Sequence, residues 1–222
     1  MKRTFGLVLI IFTLSSMFLT LRAQTFRIEA GYSQPRLYSN ELSHRYFHGV
    51  RLGGTVDFEV PQVKFLGIHT GLFYSYSFGN DAQKYYYTSI LDSIRINTQG
   101  HYIDIPLHVT ASYNVFKSVK AFAFAGPNFN IGLYMPQNVE TTITDGNGLR
   151  DIEETLGYKL GDSNLYDGRL SRFNFQLEAG GGVQWWKLQL KGGYSFGINN
   201  LNKGNLHKQR QSGWFASIAY EF

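Results

Sequence analysis

Large apolar side chains alternate with small or polar ones along this chain in eight segments, and beyond residue 21 no apolar run reaches the roughly 18 residues a membrane-crossing helix needs. Successive residues of a strand point to opposite faces, so each segment reads as a strand with one apolar and one polar side. The first sets Phe26, Ile28, Ala30 and Tyr32 against Arg27, Glu29 and Gly31; the second sets Val50, Leu52, Val56 and Phe58 against Arg51, Thr55, Asp57 and Glu59. In the third, Leu66, Ile68, Leu72, Tyr74 and Tyr76 oppose Gly67, His69, Gly71, Ser75 and Ser77. In the fourth, Ile103, Ile105, Leu107 and Val109 oppose Tyr102, Asp104, Pro106 and His108. The fifth, about 119–130, reads either way, and side-chain size favours Phe122 and Phe124 on the apolar side with Ala121, Ala123 and Ala125 opposite. The sixth sets Phe173, Phe175, Leu177, Ala179, Val183 and Trp185 against Asn174, Gln176, Glu178 and Gln184; the seventh sets Leu188, Leu190, Tyr194 and Phe196 against Gln189, Lys191 and Ser195. The eighth has Trp214, Ala216, Ile218, Tyr220 and Phe222 on one face and Ser217, Ala219 and Glu221 on the other.

Charged residues make up 17% of the chain and aromatics 16%, against roughly 25% charged in soluble domains. A soluble eight-stranded barrel buries its apolar face and coats its exterior with charge, and too few charges are present for that. Lipid accepts strands only when the sheet closes on itself. The segments lie near the 9 to 11 residues of a tilted spanning strand. The expected fold is all-β: an eight-stranded antiparallel transmembrane β-barrel with up-and-down meander connections. Short connections at Pro61 to Lys64, Ser112 to Ser118 and Trp186-Lys187 alternate with long ones at Ser33 to Phe47, Gly79 to Gln99, Gly132 to Ser171 and Asn199 to Ser212. Short periplasmic turns and long external loops follow that pattern in bacterial outer membranes, with both termini in the periplasm.

Lys2 and Arg3 precede an apolar run from Phe5 to Leu21 that ends at Arg22-Ala23-Gln24. This is the pattern of a secretory signal peptide over residues 1–23, cleaved before Gln24, with the barrel domain at 24–222. The formal net charge of +5 includes Lys2, Arg3 and Arg22; without them, 18 basic residues stand against 16 acidic ones. No basic stripe with interleaved aromatics suggests a nucleic-acid partner. The absence of cysteine removes disulfides, thiolate nucleophiles and sulfur metal ligands.

Eight strands enclose a space that side chains just fill. Arg27, Glu29, Arg51, Asp57, Glu59, His69, Asp104, His108, Glu178, Lys191 and Glu221 are expected to form an interior polar network, because an unpartnered buried ion is costly. Pro106 lacks a ladder donor, so a bulge is expected there. No catalytic residue, cofactor or metal site is expected. Gly193-Tyr194-Ser195-Phe196-Gly197 fits the Gly-x-Ser-x-Gly pattern, but a nucleophile elbow needs a strand-to-helix turn, and Ser195 lies within an alternating strand. Asp104 and His108 are about 13 Å apart along one strand, too far to share an ion. A meeting of His69 with His108 reads as an interior pair rather than a site. Asp145-Gly146-Asn147-Gly148 departs from a calcium loop at Leu149, Arg150 and Leu156.

The connection between Gly132 and Ser171 holds Glu140, Asp145, Asp151, Glu153, Glu154, Asp162 and Asp167 against Arg150, Lys159 and Arg169. Long loops in compact proteins are often functional, so this acidic loop is the expected protein-partner site, with a short amphipathic helix over Leu149 to Leu156. At the other extreme of the chain, Trp214, Ile218, Tyr220 and the closing Phe222 resemble the signal by which barrel-assembly machinery reads a last strand. Outer-membrane lipid is the remaining expected partner.

The segment His101-Tyr102-Ile103-Asp104-Ile105-Pro106-Leu107, with Ala125-Gly126-Pro127, Phe173-Asn174-Phe175 through Gly180-Gly181-Gly182-Val183, and Tyr194-Ser195-Phe196-Gly197-Ile198, resembles the PorT-type outer-membrane β-barrel family. The resemblance spans most of the chain after the leader. It implies a small barrel like OmpX or OmpA, in bacteria that use type IX secretion, where the namesake assists export. Three functional classes follow: a non-enzymatic structural or interaction platform, a lipid-modifying barrel enzyme, and a small-solute channel. The visible residues favour the first, since no nucleophile and base meet at a lipid interface and the expected interior is filled.

Overall fold

The computed structural model describes residues 23–39, 45–60, 63, 65–87, 90–141, 160–204 and 208–222. Among them are strands β1 (Ala23–Ser39), β2 (Arg45–Tyr46), β3 (His48–Glu59), β4 (Leu66–Tyr87), β5 (Ile90–Phe116), β6 (Val119–Tyr134), β7 (Pro136–Thr141), β8 (Gly161–Asn164), β9 (Phe173–Trp185), β10 (Leu188–Gly197) and β11 (Gln209–Glu221). Eight of these close a ring in the order β1-β3-β4-β5-β6-β9-β10-β11, with β11 returning to β1, and every pairing is antiparallel. Ring neighbours are sequence neighbours, so the ring is the expected meander. The leader expected at 1–23 lies outside the described residues except for Ala23, with which β1 begins.

At one end the connections are tight. Lys117 and Ser118 join β5 to β6, and Trp186 and Lys187 join β9 to β10. Trp186 has φ 55°, the left-handed first corner that two-residue hairpin turns use. The other end is more ordered than its sequence suggests. The expected loop from Gly79 to Gln99 is a hairpin: β4 and β5 stay paired from Gly79↔Thr98 to Tyr87↔Ile90. Above the ring, β5 also pairs with β7, and β7 with β8, so a four-stranded sheet rises from the barrel. Its alternation is hard to read because polar residues lie on both faces where no lipid divides them.

Alternation fixes which face is which. Leu52, Leu72, Val109 and Leu190 point outward and are 57–60% exposed. Aromatic side chains flank this band: Tyr113, Phe116, Trp185 and Trp186 at the turn end, and Tyr46, Phe78, Tyr134 and Trp214 at the other. Such girdles mark the two membrane interfaces of a spanning barrel.

Two further expectations are overturned. In β6, Phe122 and Phe124 point inward, and Ala123 and Ala125 outward. The cause lies on the neighbouring strands: a Cβ on Gly182 would come 2.6 Å from the Phe122 ring, and one on Gly180 would come 2.6 Å from the Phe124 ring. Those missing side chains leave room for the phenyls. Pro106 sits in no bulge. The β4–β5 ladder passes from Thr70↔Leu107 to Phe73↔Asp104, and the β5–β6 ladder from Pro106↔Asn128 to Val109↔Ala125, with each register unchanged. Pairing is skipped over two positions on either side rather than shifted. The hydroxyl of Thr70 donates to the Pro106 carbonyl at 2.8 Å across the gap.

Candidate functional site

The inward faces of the ring strands build three polar tiers. At the turn end, Arg27 pairs with Asp57 and, at 2.8 Å, with Glu221; Gln184 also donates to Glu221 at 2.8 Å. These contacts tie β1 to β3 and β11. His69 Nδ1 lies 2.7 Å from Asp57, and its Nε2 lies 3.3 Å from Lys191 Nζ, which links this tier to the next.

The middle tier holds two carboxylates and two cations. Lys191 pairs with Glu29 at 2.7 Å, and Ser217 donates to the other Glu29 oxygen at 2.7 Å. His108 lies 3.1 Å from Glu178, whose second oxygen accepts from Ser195 at 2.6 Å. Arg51 sits between the Phe73 and Phe215 rings, at 4.2 and 4.8 Å from their centroids, in the field of both carboxylates. Phe73 is fully buried, and Phe124 stacks on His108 at 5.0 Å. These aromatics are the interior residues that alternation alone missed; the glycines facing them were the available signal. His69 and His108 are ladder partners with rings stacked at 5.8 Å.

The third tier centres on Asp104, which accepts from Ser75 at 2.5 Å, Asn130 at 2.8 Å and Asn128 at 3.2 Å. Above it the barrel is closed by an apolar cluster of Phe47, Tyr102, Met135, Leu165, Tyr166 and Leu170, with Leu201. Backbone bonds anchor this cap: Phe47 to Pro35 at 2.8 Å, Leu165 to Met135 at 2.9 Å and Ser171 to Leu201 at 2.7 Å. Burial pushes the Tyr166 phenol well above its ordinary value, so this hydroxyl stays neutral.

Cavities in the lumen include one of about 70 Å³ beside Arg27 and Lys120 and one of about 60 Å³ beside Asp104 and Gln176. Each has room for a few waters. The belt of Phe73, Phe124, Arg51 and Lys191 lies between them. Glu59 is exposed at the turn end and borders the first cavity.

A serine nucleophile at Ser195 does not fit this arrangement. Ser195 lies inside β10, and its hydroxyl donates to one oxygen of Glu178, whose other oxygen lies 3.1 Å from His108 Nε2. The carboxylate stands between serine and histidine, so the imidazole cannot take the serine proton. Among the described residues no three metal-ligating side chains converge. Of the acidic-loop candidates, Asp145, Asp151, Glu153 and Glu154, and the helix expected over Leu149 to Leu156, lie outside the described residues. Asp162 accepts from Asn138 at 2.8 Å, and Asp167 lies 3.8 Å from Arg172, both on the exposed outer sheet and its following turn. Trp214, Ile218, Tyr220 and Phe222 line the outward face of the last strand.

Residues 17–203 match the family described as Outer membrane protein beta-barrel domain. No curated protein matches the sequence. Among solved structures, Neisserial surface protein A is 14% identical with a TM-score of 0.41, covering 89% of this chain and 97% of its own. Ail of Yersinia pestis is 10% identical with a TM-score of 0.35, covering 90% of this chain and 100% of its own. The N-terminal barrel of Pseudomonas aeruginosa OprF is 7% identical with a TM-score of 0.32, covering 90% and 100%.

Proposed function

Because the chain belongs to the outer membrane protein beta-barrel domain family and lies in the bacterial outer membrane, we propose that it is a non-enzymatic structural or interaction platform acting through its external sheet and loops. The observation that carries this reading is the division of labour along the barrel axis. The lumen is occupied by paired ions and capped by apolar side chains, while the β4, β5, β7 and β8 sheet presents a surface beyond the lipid. A filled, capped lumen argues against a solute channel, and the Ser195–Glu178–His108 order argues against a lipid-modifying enzyme.

The resemblance to PorT-type barrels makes accessory work in protein secretion the preferred task. The acidic stretch at Asp145, Asp151, Glu153 and Glu154, continued by Asp162 and Asp167, is the preferred partner surface. In this reading the leader is removed before Gln24, both termini face the periplasm, and the outward face of β11 is what the assembly machinery engages. The test is to replace residues 142–159 by a short turn. Loop closure entropy varies slowly with length, so the barrel should still fold and keep heat-modifiable migration on gels. Partner capture by the intact protein should be lost, and reversing Asp151, Glu153 and Glu154 should weaken it in a salt-dependent way. Full capture after the replacement overturns the platform reading. A lipid-modifying activity abolished by Ser195→Ala without unfolding favours the enzyme.

A further inference from the structure

Charge is distributed unevenly on the outward face of the ring. Among the residues whose side chains are described, the formal charges on the outward-facing positions of the eight ring strands are Arg36, Arg95 and Arg210, all at the loop end, and no carboxylate shares that face on these strands. Arg95 lies above the barrel, directly opposite Glu140 of β7 in the ladder, so its charge has a counterpart. Arg36 and Arg210 differ. Their ladder neighbours are Ser212 and Tyr46 for Arg36, and Tyr38 for Arg210. The two arginines are therefore diagonal neighbours on one face of β1 and β11, their Cα atoms roughly 7 to 8 Å apart.

Two like charges on one such patch repel, and an anion within reach of both relieves the repulsion. The Arg36 guanidinium rests over the Tyr46 ring at 5.0 Å and the Tyr38 ring at 5.8 Å, which holds it to the barrel wall. Its Nε is shielded from water and has no hydrogen-bond partner among the described residues. Four residues below Arg36 on the same face is Tyr32, packed at 5.3 Å against Trp214, which donates to Gln34 at 2.8 Å. That aromatic pair belongs to the girdle at headgroup level, so the arginines stand just above the acyl region.

The geometry points to a binding site for an outer-leaflet lipid headgroup that carries an exposed, net-anionic phosphomonoester, clamped by Arg36 and Arg210 with its acyl chains against Tyr32 and Trp214. Guanidinium matches phosphate oxygens through paired N–H donors, and the girdle supplies the apolar floor beneath. This site is on the membrane-facing wall and is independent of the external partner surface.

The test uses the full chain folded in detergent, with bound lipid read by native mass spectrometry. The probes are a phosphatidic acid and a phosphatidylcholine of matched chains, with inorganic phosphate in excess as competitor. The unaltered protein should retain phosphatidic acid about tenfold better than phosphatidylcholine. Arg36→Gln/Arg210→Gln should erase that preference, Arg95→Gln should keep it, and all three proteins should show heat-modifiable migration. Because the acyl chains contribute, inorganic phosphate alone should not displace the lipid. Equal retention of both lipids by the unaltered protein, an undiminished preference in the double variant, or full displacement by inorganic phosphate overturns the proposal.

Discussion

At the residue scale, the Lys191–Glu29 pair shows how the barrel uses charge. Both side chains are almost fully buried, so removing one leaves the other without compensation. Glu29→Leu should cost about 3 to 5 kcal/mol. Adding Lys191→Met should recover most of that, because two apolar groups need no partner. Urea titration of vesicle-embedded protein through a double-mutant cycle measures both, and a double variant as unstable as the single would contradict the pairing. The adjacent residue gives the opposite test. Leu190 is 60% exposed on the outward face, so Leu190→Lys should cost about 2 to 4 kcal/mol if it meets the bilayer midplane. A neutral result in the same titration would mean the face is not lipid-facing.

At the element scale, period-two alternation made the ring strands and the faces of seven of them legible, because lipid outside and ions inside impose opposite demands on successive residues. β6 was not legible. Its two faces, phenylalanine and alanine, are both apolar, and the deciding information sits in Gly180-Gly181-Gly182 of β9. Gly180→Ala should cost about 1 to 3 kcal/mol, because its Cβ would run into the Gly192 carbonyl and come 2.6 Å from the Phe124 ring. Combining it with Phe124→Ala should cost less than the sum of the two singles, a coupling that the same titration reads. The apolar cap was equally hidden, since Phe47, Met135, Leu165 and Leu201 are scattered over connections with no period to mark them. The interior ions were visible as residues but not as pairs, because pairing depends on ring register that one sequence does not state.

At the scale of the whole molecule, the aromatic belt across the lumen and the cap above it make transport an unsuitable task. Planar bilayers holding the purified protein should show no stable single-channel openings; steady conductance would revive the channel. The ring also has a seam. Its first and last strands meet along thirteen register pairs from Arg27↔Glu221 to Ser39↔Gln209, and the Arg27–Glu221 bond joins residues 194 apart in sequence. Contacts that distant form slowly, and until they form both strands present open edges that lipid cannot satisfy. Closure is therefore a single late event, and a barrel seven-eighths assembled has no resting place in the bilayer.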